Sequence, residues 1–306
     1  MRLLVIVLMV LQLTGYGQSV ADSLVREGAY QQAIEWIDRS NIQQQPDLLK
    51  TRALALISLG KFSEAGEIVS QLQKSAGSGA AMADIVALQG FLDMNTGRND
   101  LALDEFSRSL RLYGSTGKSG SAEAARCHSN LGTLYFNTGK YRQAEEQFLR
   151  SLEIRSGIFP AGHPERAAAL NDLGLVYGQS DPQKALEFYQ HAADLYQAAY
   201  GSQHPKMAIA QTNMGIMYKK LGKNDEAISN FERALMVWKR VYPDGHPNQA
   251  LVLSYLAQTH TMLNHPAVAA GLFRQALRQY RKAYGEKHPD IAATCNQYAI
   301  FHIGNR

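Results

Sequence analysis

The sequence holds little of what staples, anchors or catalyses. Only two cysteines, Cys127 and Cys295, occur in 306 residues. Placed on a stacked helical array with rows about 8–10 Å apart, they lie far beyond the Cα separation a disulfide spans. There is no basic block: 31 Lys and Arg against 27 Asp and Glu, spread along the chain, leave a net charge of +4. That balance speaks against a nucleic-acid partner and suits solubility. No cysteine follows the N-terminal apolar run, so nothing supports a lipid anchor. A catalytic constellation is missing as well. His260 and His265 have no acid partner at a diagnostic spacing, neither cysteine belongs to a Cys/His signature, and no serine sits in a nucleophile elbow. The expectation is a chain that is not an enzyme. No cofactor is implied either. Gly114-Ser-Thr-Gly-Lys118-Ser119 imitates a phosphate-binding loop but has two residues between its glycines instead of four, and it follows helix-like sequence where a strand is required. It reads as a linker.

What is present is globular in composition, with 45% hydrophobic and 19% charged residues. The N-terminus carries a targeting segment: Met1-Arg2 is a basic start, Leu3–Leu13 an apolar run broken only by Gln12, and small residues follow at Gly15 and Gly17. The run is too short to span a bilayer. Cleavage fits after Gly17 or after Ala21. The first is favoured, because the second would remove Val20 and Ala21 from the first helix. Residues 1–17 thus form a signal peptide, and the mature chain is expected to be exported, periplasmic or extracellular, soluble and without a stable membrane anchor. A retained signal anchor is the alternative.

The remainder is periodic. An aromatic residue, three loop formers and His-Pro recur as Phe159…His163-Pro164, Tyr200…His204-Pro205, Tyr242…His246-Pro247 and Tyr284…His288-Pro289, the histidines being 41, 42 and 42 residues apart. A fixed period is the signature of an array whose units are stable only when stacked. Within a unit, Leu170, Leu173, Gly174 and Tyr177 keep helical spacing, and Ala185, Tyr189, Ala192 and Tyr196 keep it again after the Asp181-Pro182 break. This predicts a hairpin of two amphipathic helices. Proline suits the first helical turn, where its missing N–H is unpaired in any case. Histidines one repeat apart, roughly 10 Å, cannot share a metal ion whose ligands lie within about 4 Å of one another. No metal site is expected.

Leu131-Gly132…Tyr135…Ala144…Phe148, Met214-Gly215…Tyr218…Ala227…Phe231 and Leu256-Ala257…Ala269…Phe273 repeat the scheme. It resembles the tetratricopeptide repeat, and its linkers and 42-residue spacing resemble the kinesin light chain subclass. The likeness is strong from about Ala122 onward. It is weaker upstream, where Gly90, Gly97, Ala102 and Phe106 mark one repeat with Asp93 in place of the expected Tyr. Ala53, Gly60 and Ala65 mark another, and Ala21, Gly28 and Ala33 the first. The resemblance implies an all-α fold, a right-handed α-solenoid (superhelix) of stacked antiparallel helix pairs. It divides residues 18–306 into repeats at about 18–45, 46–79, 80–120, 121–162, 163–203, 204–245 and 246–287 and a terminal helix at 288–306.

In such arrays the first helices line a concave groove. The polar residues the resemblance places there are Arg126, Ser129, Asn130, Asn171, Asp172, Thr212, Asn213, Ser254, Tyr255, Asn296 and Gln297. Side-chain amides can bond both N–H and C=O of an extended peptide, so the expected partner is a peptide or protein; the alternative is that these amides bond only to water. A clamp for a terminal carboxylate is not expected, since Ala87, Ser129, Asn171 and Thr212 stand where basic residues would be needed. Lys219, Lys220 and Lys223, and the stripe Arg274, Arg278, Arg281 and Lys282, read as a solvated outer face or as a dock for an acidic partner. The expected role is an exported, non-catalytic scaffold. The alternative is a sensory or regulatory arm joined or adjacent to an effector such as a caspase-like peptidase or a signalling kinase.

Overall fold

A computed structural model describes residues 20–25, 29–40, 43–243, 245–286 and 289–304. The signal segment at 1–17 lies outside them, as does His288. Among the described residues every regular element is helical: α1 (20–25), α2 (Tyr30–Arg39), α3 (Pro46–Ser58), α4 (Phe62–Ser75), α5 (Ala80–Asn95), α6 (Asn99–Ser115), α7 (Ala122–Asn137), α8 (Tyr141–Ile158), α9 (Pro164–Ser180), α10 (Pro182–Tyr200), α11 (Pro205–Lys220), α12 (Asn224–Val241), α13 (Pro247–Met262), α14 (Pro266–Tyr284) and α15 (Pro289–Gly304). None of the described helices is long and apolar enough to cross a membrane.

The chain divides into two compact units, Met1–Ile158 and Phe159–Arg306. Each is an α-solenoid in which consecutive helices pack as hairpins and each hairpin packs on the next. Within each unit, successive first helices also touch: α3 meets α5 and α5 meets α7, while α9 meets α11, α11 meets α13 and α13 meets α15. Successive second helices do not. The first helices are therefore on the inner side of the curve in both units, which is what makes their outward residues a surface of their own.

From α5 onward the hairpins are held by one recurring contact. A small residue on the first helix receives the ring of an aromatic residue on the second. A Cβ built on Gly132 would lie 2.4 Å from Phe148, on Gly174 2.5 Å from Tyr189, and on Gly215 2.6 Å from Phe231. All four Phe and Tyr rings of this kind in the middle of the chain, Phe106, Phe148, Tyr189 and Phe231, are fully buried. Gly90 is less tight, at 3.1 Å from Phe106. In the α13–α14 hairpin Ala257 and Phe273 share one core cluster, so that crossing tolerates a methyl. Asp93, which departs from the repeat pattern, is buried. It accepts hydrogen bonds from Arg98 Nε at 2.8 Å and Gln89 Nε2 at 3.1 Å, which compensate its charge. A further departure is Asn264, the only non-glycine described residue with positive φ (57°), at the turn where four other hairpins use Gly60, Gly97, Gly139 and Gly222. Asparagine is the residue that best tolerates this conformation after glycine.

The histidines of the punctuation have a role that spacing did not reveal. His163, His204 and His246 are helix N-caps: Nδ1 accepts from the backbone N–H of Glu165, Lys206 and Asn248 at 3.2, 3.1 and 3.1 Å. Each imidazole also stacks on the aromatic ring four residues earlier, with centroids 4.3 Å apart for Phe159, 4.2 Å for Tyr200 and 4.3 Å for Tyr242. The aromatic residue thus ends one hairpin and orients the cap of the next. No group of three or more potential metal ligands occurs among the described residues.

A capping imidazole must stay neutral at Nδ1 to accept its bond. Burial pushes His246 down to about 4 from its ordinary 6.5. Because the folded state disfavours the proton, the contribution of His246 to stability is complete above about pH 6.5 and is lost as the pH falls through about 4. A thermal-melt series over this window should show a loss of about 1–2 kcal/mol attributable to this site. The same series on His246→Asn, which keeps a capping side chain without titrating, should be flatter by that amount; an equally steep variant would remove His246 from the account.

Candidate binding surface

In the first unit the inner face forms a cavity of about 860 Å³, lined by α1, α3, α5 and α7 with Tyr113 reaching in from α6. Part of its lining is apolar, with Leu54, Leu88 and Phe91 among the lining residues. Its walls are charged. Lys50 Nζ lies 2.8 Å from Asp47 Oδ1 and 2.9 Å from Asp84 Oδ2. The Tyr113 hydroxyl donates to Asp84 Oδ1 at 2.6 Å, and Thr51 Oγ1 donates to Asp22 Oδ1 at 2.7 Å. Burial and the Asp84 carboxylate raise the Tyr113 hydroxyl far above its ordinary range, so it remains a donor. Arg126 pairs with Glu123 at 3.6 Å and is exposed at the cavity, which Asn130 also lines.

In the second unit the same face is built of amides and hydroxyls. Asn213 Nδ2 donates to Asn171 Oδ1 at 3.0 Å, joining α11 to α9. Farther along, Lys219 Nζ donates to Gln258 Oε1 at 2.6 Å, Gln258 Nε2 to Gln297 Oε1 at 2.7 Å and Ser254 Oγ to the same oxygen at 3.1 Å. This connects α11, α13 and α15. Tyr255 stacks on Phe231 at 5.6 Å and has the Lys219 ammonium 4.9 Å from its ring centroid. Burial, with a smaller contribution from the neighbouring Lys220 charge, lowers Lys219 to about 8.

The residues expected at the groove fall into different places. Asn171, Asp172, Asn213, Tyr255 and Gln297 are half-buried on first helices, and Asn296 is exposed. Thr212 is buried, with its hydroxyl donating to Ala208 O at 2.7 Å. Ser254 is buried but still bonded along the row. Ser129 lies 3.0 Å from Ser151 Oγ on α8, the second helix of its own hairpin. Lys219 corrects the reading of the lysine cluster as an outer face: it turns inward, while Lys220 bonds the Gly178 carbonyl at 2.6 Å and Lys223 is exposed. The stripe Arg274, Arg278, Arg281 and Lys282 is exposed, with Arg281 paired to Glu286.

Sequence reasoning missed the charged walls of the first unit. The signal was available, since Lys50 and Thr51 stand three and two residues before Ala53, as Asn171 and Asp172 do before Gly174. Asp47 and Asp84 stand six residues before Ala53 and Gly90, on the same helix face. Cys127 is buried and free, while Cys295 is exposed and free. Gly114–Ser119 leads from the end of α6 to α7, whose N-cap Ser121 accepts from Ala124 N at 3.1 Å, so no strand precedes the glycines.

Family models of the tetratricopeptide repeat match residues 82–157 and 206–282, and a second such model matches 166–206. Among solved structures, the chain is similar to a Rap protein complexed with competence and sporulation factor, at 13% identity and a TM-score of 0.68, covering 89% of this chain and 77% of that one. It is also similar to BtubC (BKLC) from P. vanneervenii, at 19% identity and a TM-score of 0.52, covering 72% and 92%. A Podosopora anserina kinesin light chain protein of nearly identical repeats matches at 21% identity and a TM-score of 0.50, covering 60% and 87%. No curated protein matches the sequence.

Proposed function

The chain belongs to the tetratricopeptide repeat family, and on that premise we propose that it is an exported, non-catalytic scaffold whose inner helix faces hold a peptide or protein partner. The observation that carries this reading is the Asn213–Asn171 bond between consecutive first helices. It uses one donor of the Asn213 amide and one lone pair of the Asn171 oxygen. Each side chain has further donors and acceptors, which is the equipment for bonding a peptide backbone without demanding a sequence. The fold similarity to a Rap protein crystallised with a factor is in keeping with it.

The test is capture of a partner by the full mature chain. Changing Asn130, Asn171 and Asn213 together to Ala should reduce capture at least tenfold, with helical circular dichroism unchanged, because removing each bonded amide from a desolvated interface costs about 0.5–1.5 kcal/mol. Undiminished capture by the folded variant would overturn the groove assignment. Export rests on the basic start and apolar run of the first 17 residues. The mature protein should be recovered outside the cytoplasm beginning at Gln18, or at Asp22 if cleavage falls after Ala21; a chain recovered only inside the cytoplasm would refute export, and one that retains Met1 would refute cleavage.

One observation favours a second reading, a regulatory arm that works with an effector. In α15, Ala292, Cys295 and Ala299 are exposed. Their counterparts Ala250, Leu253 and Ala257 in α13 are buried, in a repeat whose second helix α14 is present. The exposure of these small and apolar side chains on α15 supports a docked partner there. A gene neighbourhood with no effector beside or continuous with this sequence would remove that reading.

A further inference from the structure

We propose that the inner-face cavity of the first unit is a binding site for a cationic, amphipathic peptide segment, one that presents an ammonium or guanidinium group beside an apolar side chain. This rests on the scaffold reading and specifies what one of the two inner faces selects. Three observations support it. The cavity, at about 860 Å³, has the size of a site for a short peptide. Its lining offers the half-buried Leu54 and Phe91 to an apolar group. Its charged lining is four carboxylates, Asp22, Asp47, Asp84 and Glu123, against two cations, Lys50 and Arg126, a net of −2 in a chain whose total is +4.

The two cations are already engaged. Lys50 is held between Asp47 and Asp84, and Arg126 lies against Glu123. A carboxylate ligand would have to compete with those internal partners and face the surplus negative charge. A cation meets the surplus directly. Asp84 is held in place for this by Tyr113 and Lys50, which bond its two different oxygens, so little ordering remains to be done when a ligand arrives. Selectivity for charge sign comes from the walls, and retention from the apolar part of the lining.

The experiment uses the full mature chain and three labelled hexapeptides of alternating composition, Leu with Lys, Leu with Glu and Leu with Ser, titrated by fluorescence anisotropy. The Lys peptide should bind at least tenfold more tightly than the other two, and the margin should shrink as salt is raised from about 0.05 to 0.5 M, where screening shortens to a few ångströms. Asp47→Asn combined with Glu123→Gln brings the lining from −2 to 0 and should abolish the preference while the melting transition is retained. Glu64→Gln with Glu153→Gln, which removes the same amount of charge from exposed positions on second helices of the same unit, should leave the preference intact. Equal binding of the Glu or Ser peptide overturns the proposal, as does a preference that survives in folded D47N/E123Q. If the Lys peptide shows no preference while partner capture still depends on Asn171 and Asn213, this inference fails and the scaffold reading stands. If both are lost, both fail.

Discussion

Gly132→Ala should lower the stability of the chain by about 2–3 kcal/mol, at the upper end of what one added methyl does in a well-packed core. The Cβ would sit 2.4 Å from one edge atom of the Phe148 ring and 2.5 Å from its neighbour. Carbon atoms do not approach so closely, and Phe148 is fully buried, so its ring has no solvent side to retreat into. The ring must leave its rotamer or the two helices must separate, and either response disturbs the contacts of α7 with α8. The measurement is the urea midpoint of the helical circular-dichroism transition. Phe148→Leu in the Gly132→Ala background should recover part of the loss, because a smaller side chain vacates the space the methyl needs. Two outcomes would contradict the account: an unshifted midpoint, or a double variant less stable than the sum of the single changes. Gly174 against Tyr189 and Gly215 against Phe231 should behave alike, at 2.5 and 2.6 Å.

In native buffer, a thiol reagent should modify Cys295 within minutes and leave Cys127 untouched until the protein unfolds, a rate difference of several orders of magnitude. Cys295 is exposed on the open face of α15. Cys127 is 1% exposed, and burial raises its thiol to about 11, only partly opposed by a hydrogen-bonding distance of 3.5 Å to Ser109 Oγ. The thiolate is the reactive form, so at neutral pH the raised thiol alone removes all but about one part in 10⁴ of the reactive species, and occlusion removes more. Quantifying the two sites by peptide mass spectrometry before and after denaturation checks this. Equal labelling of both in the native chain would mean that the α6–α7 contact opens readily, which the buried Ser109–Cys127 pair does not suggest.

The hairpins were legible in the sequence because they depend on residue classes at fixed spacing. Gly174 with Tyr189 and Gly215 with Phe231 announce the crossing, and prolines at the start of α9, α11 and α13 announce the first helices. The inner face was only partly legible. Spacing places Asn171 and Asn213 on it, but their mutual bond depends on how closely α9 and α11 approach. Lys219 departs from the solvated reading of its cluster with Lys220 and Lys223 because the Tyr255 ring and the Gln258 amide draw its ammonium inward. The histidine caps were hidden for a related reason. His is not among the favoured capping residues, and what makes it one here is the ring stacked beneath it, a contact between residues four apart across a loop. In the upstream repeats the weaker pattern obscured the register, so the carboxylates at Asp47 and Asp84 went unassigned.

The register shared by the two inner faces has a consequence for how such a chain can change over generations. Lys50 and Thr51 occupy the positions relative to Ala53 that Asn171 and Asp172 occupy relative to Gly174. The polar rows of the inner face are therefore separate from the glycine and aromatic rows that lock the hairpins. A mutation can swap a carboxylate for an amide on the inner face without disturbing a buried ring, so recognition can drift from one repeat to the next while the architecture is inherited unchanged. A duplicated repeat would bring its locking rows with it and be free to acquire new specificity at once.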